Sequence, residues 1–370
     1  MHPMIKPALR RAWRDRQTVQ YGVAPAHAVL LGPVDDATAA FLDLLDGTRS
    51  LPRLRAEAGE LGLPPDTADR LTDRLSRAGV LDDATAQRSA AAELGDGVRA
   101  DLASLGAVHP EPGAGPRRLA ARRAARVQVR GAGRVGATVA TVLSAAGVGR
   151  VDVVDGGHVE PWETLPGGIP AERTGERRDT AARRSVRAAR PWPRAARTRD
   201  GDGLALAVLA PRDGLDAYAP DPAGAERFLA AGIPHLYGGI VEATGVVGPL
   251  VLPGTTPCAG CLLRTRAERE PSWPLVVGQW RTGGRRRTGV PACDAALATM
   301  VAGAVASYAL SFLDGDGGCG AGYRLRLALP HLLPDTEQLT AHPECPCGAA
   351  TPAHPPPPSA AMPRQATMAG

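Results

Sequence analysis

One stretch governs what this chain can become. A short apolar run at Val127 and Val129 stops at Gly131-Ala132-Gly133-Arg134-Val135-Gly136, a small-residue segment follows, and a second apolar run ends at Asp155. The three glycines stand where a strand-to-helix turn demands them. The first makes the tight turn, the second lets backbone approach a phosphate, and the third lets the helix pack on its strand. An anion held there lies at the positive end of the helix dipole. Asp155 follows about 20 residues on, where an acid at a strand end accepts ribose hydroxyls. Gly131, Gly133, Gly136 and Asp155 are therefore the candidate nucleotide-binding residues.

From residue 124 to about 350 the alternation of strand and helix continues. Strands are expected at "RVQVR", "VDVVD", "LALAVLA", "YRLRLALP" and, two or three of them, within "PHLYGGIVEATGVVGPLVLPG". Helices are expected after Gly133, at Thr174, near Asp221 and at Asp294. The class is α/β: a Rossmann-like mixed sheet that begins doubly wound and gains antiparallel strands later. Residues 1–85 read as a separate, small winged-helix-like α+β module. It has strands at "TVQYGV" and "HAVLLGPV", three short helices, and a closing strand at "VLDD". Residues 86–123, rich in Pro, Gly and Arg, read as a linker, and residues 351–370 as a disordered tail.

Bulk properties exclude more than they assign. A net charge of +5 over 370 residues is mild, so nothing requires nucleic acid. The third helix of the first module mixes Asp66, Asp69 and Asp73 with Arg70, Arg74 and Arg77, a poor surface for DNA phosphates. No apolar run opens the chain, so no secretory signal is expected. Residues 295–313 are uncharged, but Ala and Gly supply much of their apolarity and acids flank them, which favours a core helix over a membrane span. A cytoplasmic protein is the expectation, with thiols or metal ligands among its cysteines rather than disulfides.

Cys258-x-x-Cys261 and Cys345-x-Cys347 form a second constellation. Two thiolate pairs from distant segments close a tetrahedral structural Zn2+ site with no catalytic vacancy, with His342 an alternative ligand. Cys293 precedes a helix, where a dipole lowers a thiol's pKa, but Asp294 beside it opposes that, and a structural role is expected. Cys319 is lone and expected to be structural. His158 and Glu160 follow Asp155 on a loop and read as exposed rather than catalytic. The basic loop 279–289 has no assignable role. The Ala/Gly-rich helix from Asp294 to Leu313 is apolar all round, so a homodimer is expected to cover what one sheet cannot.

Together these features resemble the ThiF/MoeB/ubiquitin-activating family over about residues 105–350. The Gly loop with Asp155, and "GVVGPLVLPGTTPCAGCLLR" followed by "EREPSWP", carry the likeness. The resemblance implies a ThiF-type sheet and an enzyme that uses ATP and Mg2+ to adenylate the C-terminal carboxylate of a peptide or small protein. The second stretch resembles a branch associated with ribosomal natural products, in which a PqqD-like winged helix binds leader peptides. Residues 1–85 suit that role. The implied partners are a precursor or leader peptide and a cyclodehydratase-type enzyme.

The sequence departs from that family at the charges of the reaction. Gly157 stands where a second acid is expected, and "HVEPWETLPGG" lacks the Asn-x-x-Arg pattern. The chain contains no asparagine, and its one lysine is Lys6. Arg178 is the best match for the family's lysine and is the candidate catalytic residue. The acid for Mg2+ is missing from "VLAPRD" unless Asp213 has taken its place. Adenylation depends on neutralising charge on phosphates, so ATP is expected to bind weakly or as a vestige and the rate to be low. An NAD- or FAD-dependent oxidoreductase would use the same glycines and Asp155; the cysteine pairs and "GPLVLPG" argue against it.

Overall fold

The computed structural model describes residues 1–192, 203–283, 289–317, 320–350 and 366–368. The chain divides into two compact units, Met1–Ala120 with 358–370, and Ala121–Pro357.

The first unit contains β1 (Pro3–Ile5), β2 (Arg11–Trp13), β3 (Val19–Tyr21), β4 (Val29–Leu31), α1 (Asp36–Asp43), α2 (Leu51–Glu60), α3 (Thr67–Arg77) and β5 (Leu81–Asp83). Val19 and Tyr21 are buried on one face of β3, as the alternation predicts. Asp35 caps α1 by accepting a hydrogen bond from the Thr38 amide, which supplies a partner for an orphan N–H. Phe41, Leu42, Leu54 and Leu75 form the centre of the core. The closing strand β5 pairs antiparallel with β1, whereas β2, β3 and β4 form their own antiparallel sheet. Neither β1 nor β2 is evident from the sequence pattern.

Residues 86–123 are not a linker. They carry α4 (Ala84–Leu94), α5 (Arg99–Val108) and α6 (Ala114–Ala124). Leu94, Val98, Leu102 and Leu105 are buried at three- and four-residue intervals. That helical period is thinly spread among Ala, Gly and Arg, and the abundant turn formers conceal it. Lys6 belongs to this unit. It is buried, and its Nζ donates to the carbonyls of His109 (2.8 Å) and Pro110 (3.3 Å). A compact ammonium thus serves the end of α5, and burial lowers its pKa.

In the second unit come β6 (Arg126–Arg130), α7 (Arg134–Ala145), β7 (Arg150–Val154), α8 (Arg178–Ala188), β8 (Leu206–Leu209), α9 (Leu215–Tyr218), α10 (Pro222–Ala230), β9 (His235–Val241) and β10 (Thr244–Val251). They are followed by α11 (Ala259–Arg269), α12 (Trp273–Gly283), α13 (Ala295–Leu313), β11 (Tyr323–Ala328) and β12 (Pro334–Gln338). The seven strands run in the order β12-β11-β10-β9-β8-β6-β7. The β7, β6, β8 and β9 strands are mutually parallel, and β10, β11 and β12 add antiparallel. This is the expected mixed sheet. Strand order reverses around β6, so a crevice opens at its C-terminal end, where Gly131 sits.

Helix α13 packs one face, from Leu297 through Val301, Val305 and Ala309, onto the sheet. Gly238 and Gly245 permit this, because a Cβ at either would collide with Val305 or Val301. The opposite face is not buried: Met300 is exposed, and Gly303, Ala304, Leu310 and Phe312 are half-buried. Among the described residues α13 is the helix long and apolar enough to cross a membrane. Asp314 at its end receives a bidentate ion pair from Arg122 (2.7 and 2.6 Å), both side chains buried. Cys319 and residues 284–288 of the basic loop lie outside the described residues. So does most of the expected tail; within it Ala366–Met368 form β13, parallel to β4.

Candidate functional site

The glycine turn is built as its spacing requires. Gly131 adopts φ 101°, a conformation that disfavours side chains. A Cβ there would strike the Ala210 carbonyl, and one on Gly136 would strike the Gly131 carbonyl. Gly133 caps α7, with the Arg212 side chain so close that a Cβ would meet it at 2.9 Å. The turn opens onto a cleft lined by Arg130, Gly131, Val154, Asp155, Gly156, Arg178, Arg212, Asp213 and Pro291. An adjoining recess is lined by Gly133, Arg134, Trp162, Glu163, Arg212 and Cys293, among others.

Asp155 and Arg178 meet, but as partners of each other. One carboxylate oxygen of Asp155 accepts from Arg178 Nη1 at 2.7 Å, and the other accepts from the Ala132 amide within the glycine turn. Arg178 is buried at the start of α8. Its Nε donates to Glu163 (3.0 Å), and its Nη atoms also donate to the carbonyls of Gly156 (2.5 Å) and His158 (2.6 Å). The second oxygen of Glu163 pairs with Arg212 Nε at 2.8 Å. Arg178 thus staples the loop 155–163 to α8 and the glycine turn. His158 is exposed, as its loop position predicts.

Sequence reasoning missed Glu163, Arg130 and Arg212. Glu163 has no motif around it, and only folding places it against two guanidiniums. Arg130 directly precedes the turn, and Arg212 comes three residues after the end of β8; both positions lie where sheet topology places ligand contacts. That topology was the available signal.

Two of the three cleft carboxylates are taken up by arginine. Asp155 and Glu163 are each held by arginine, and Asp213 accepts the Leu215 amide (3.2 Å) at the start of α9. Among the described residues no group of acids or histidines in the cleft converges closely enough to share an ion. A Mg2+ ion held with phosphate and water oxygens would have one carboxylate here without an arginine partner, Asp213.

The cysteines behave differently. Cys258 caps α11 and Cys261 lies in its first turn, while Cys345 and Cys347 come from the segment after β12. Their four sulfurs lie within 4.8 Å of one another. Contacts of 4.0 Å (Cys258–Cys261), 3.6 Å (Cys258–Cys345) and 3.5 Å (Cys261–Cys347) define the cluster. A tetrahedron of Zn–S bonds has edges of about 3.8 Å, so the donor set and its dimensions fit a metal. Donation from the Cys258 thiol pulls Cys261 down to about 4 and, with burial, raises Cys258. His342 is not among the converging ligands. Its Nε2 meets Glu268 at 2.8 Å and its Nδ1 accepts the Glu344 amide.

Cys293 is half-buried beside the glycine recess. Burial pushes its thiol up, and Asp294 adds to that while Arg134 opposes it. Asp294 is the helix cap, accepting from the Leu297 amide at 2.8 Å.

The chain belongs to the ThiF family, whose model matches residues 111–347. No curated protein sequence matches it. Among solved structures it is similar to E. coli MccB with succinimide, with a TM-score of 0.69 at 14% identity over 95% of this chain and 100% of that one. It is likewise similar to E. coli MccB with ATP, with a TM-score of 0.68 at 13% identity over 94% and 99% of the two chains. The heterocyclase TruD matches with a TM-score of 0.60 at 19% identity, covering 94% of this chain but 43% of that one. The family assignment removes the reason to read the glycine turn as part of a dinucleotide-dependent oxidoreductase.

Proposed function

We propose that this protein is a ThiF-type, nucleotide-binding protein that acts on a precursor peptide in ribosomal natural-product modification, with weakened adenylation. One observation carries the reading: the likeness spans both units. The matched structures include the microcin C7 biosynthetic enzyme MccB in complex with N-formylated MccA, covering 94% of this chain and 100% of that one. A lone nucleotide-binding sheet would not match on that scale.

In this reading the first unit captures the leader peptide through an exposed sheet edge, and β2, an edge strand of the sheet that holds β3 and β4, offers one. The PqqD-like module expected in residues 1–85 is then embedded in a larger unit reaching Ala120. ATP lies at Gly131, Gly133, Gly136 and Asp155, with the peptide's carboxylate attacking the α-phosphorus and pyrophosphate departing. Asp155, oriented by Arg178, keeps lone pairs for a ribose hydroxyl. Arg178 acts by positioning Asp155 and Glu163 rather than by reaching phosphate. The four cysteines hold a structural Zn2+. The unburied face of α13, with Met300 exposed on it, is covered by a second copy. The protein works in the cytoplasm, and a cyclodehydratase-type enzyme receives the peptide it presents.

Pyrophosphate exchange with a precursor peptide encoded beside the gene tests the reaction. Exchange is expected orders of magnitude below that of an intact family member. Removing Met1–Ala120 should abolish leader binding while the second unit keeps its far-ultraviolet spectrum; equal binding without that unit refutes the capture role. Sedimentation at micromolar concentration should give a dimer, and a monomer would remove the part assigned to α13.

A further inference from the structure

The cleft at the glycine turn contains positive charge that the protein itself does not neutralise. Arg178 is matched by Asp155 and Glu163, and Arg212 shares Glu163. Arg130 is different. It stands at the end of the central strand β6, half-buried on the cleft wall, and its Nη1 donates to the neutral Gln128 amide oxygen at 3.2 Å. A second cation, Arg227 on α10, adds a like charge, and its own guanidinium stacks on the Phe228 ring at 4.4 Å. Burial and that like charge together push the Arg130 guanidinium below its usual value. No carboxylate among the described residues pairs with either arginine. A guanidinium on a cleft wall without a carboxylate partner is stabilised by an anion beside it.

We infer that Arg130, backed by Arg227 and Arg212, is a phosphate-binding residue of this cleft, and that it supplies the positive charge for a polyphosphate without a divalent cation. This rests on the nucleotide reading above and deepens it. The carboxylates point the same way, since Asp155 and Glu163 are paired with arginine and Asp213 is the one cleft acid left for a cation. A guanidinium presents planar, fixed donors to phosphate oxygens. A fixed arginine binds the ground state without assembling the metal bridge that neutralises a departing pyrophosphate, which agrees with binding outlasting rate.

Calorimetric titration of the full chain with sodium tripolyphosphate and with ATP, in EDTA and in Mg2+, tests the inference. Both probes should bind in EDTA, with affinities within about threefold of those in Mg2+. Arg130→Gln should weaken both about tenfold or more, and Arg130→Lys by less, because the charge survives without the fork. Arg227→Gln, at an exposed helix position, should weaken them by about threefold with an unchanged melting temperature. Asp213→Asn should leave binding unchanged. Binding that requires Mg2+, survives Arg130→Gln at wild-type strength, or is lost in Asp213→Asn overturns the inference. Binding of Mg2+–ATP alone sinks it while leaving the ThiF-type reading intact. Tripolyphosphate binding in EDTA without any pyrophosphate exchange upholds it and removes adenylation. Failure of the folded chain to bind either probe in either condition removes both.

Discussion

The glycine-turn cleft and the cysteine cluster both gather polar groups from distant parts of the second unit, yet they distribute bonding capacity in opposite ways. Around Arg178 the charges are largely spent: two carboxylates, two carbonyls and a backbone amide complete one another. At the cysteines four sulfurs converge chiefly on one another, with Arg264 Nη1 3.9 Å from Cys345. The first arrangement holds a loop in shape without any guest. The second is left with unmet bonding capacity, and its dimensions suit one metal ion. A convergent cluster is thus a ligand site only where its members cannot satisfy one another; of the three arginines lining the cleft, Arg130 is the one without a carboxylate partner among the described residues.

The largest effect should come from emptying the cysteine site. Purified protein should contain about one zinc per chain, and a strong chelator or Cys345→Ser should lower the melting temperature by about 10 °C or more, since metal binding there contributes directly to folding. A metal-free protein whose melting is unchanged by chelator would erase the contrast between the two regions.

The next effect should come from Arg178→Ala. It leaves Asp155 with the Ala132 amide and Glu163 with Arg212, and should cost about 3 kcal/mol in denaturant unfolding, the low end of the range for breaking one side of a buried ion pair. Restoring neutrality with Asp155→Asn and Glu163→Gln in the same chain should recover much of that loss. If the single variant costs under about 1 kcal/mol, the cluster is not holding the loop.

The smallest effect calibrates the other two. Asp152 on β7 pairs with Arg126 (2.8 Å) and Arg150 (3.1 Å) at a partly exposed edge. Burial opposes its ionisation, but the two arginines outweigh that and hold its carboxyl below the usual range. A lowered folded-state pKa contributes stability that is present above the unfolded value near 4 and is lost as pH falls through the folded value. Asp152→Asn should therefore cost at most about 1 kcal/mol at pH 7 and nothing in strong acid. An equal cost at both pH values would assign the effect to packing rather than charge.

Several features were legible because they follow from local rules. The glycine spacing demanded the turn and its crevice, alternation announced β3 and β6, and Asp35, Asp221 and Asp294 marked helix starts that the fold uses. The paired cysteines pointed to one cluster because thiols so placed have few other uses in a chain of this class. Helices α4 to α6 were hidden because small residues and arginines carry a weak apolar signal, and β1 because three residues show no period. Each of these is stabilised by contacts made far along the chain.

By itself, then, the sequence determined the class of sheet, the place of its crevice and the identity of the residues able to hold a metal, since spacing along a backbone of fixed geometry decides turns and periods. Only the tertiary structure decided which charges remain available. Whether Asp155 faces a ribose or an arginine, and whether Arg130 has a counterion, depends on side chains brought within about 4 Å by folding, where electrostatic interactions are strong, from positions with no fixed relation in sequence.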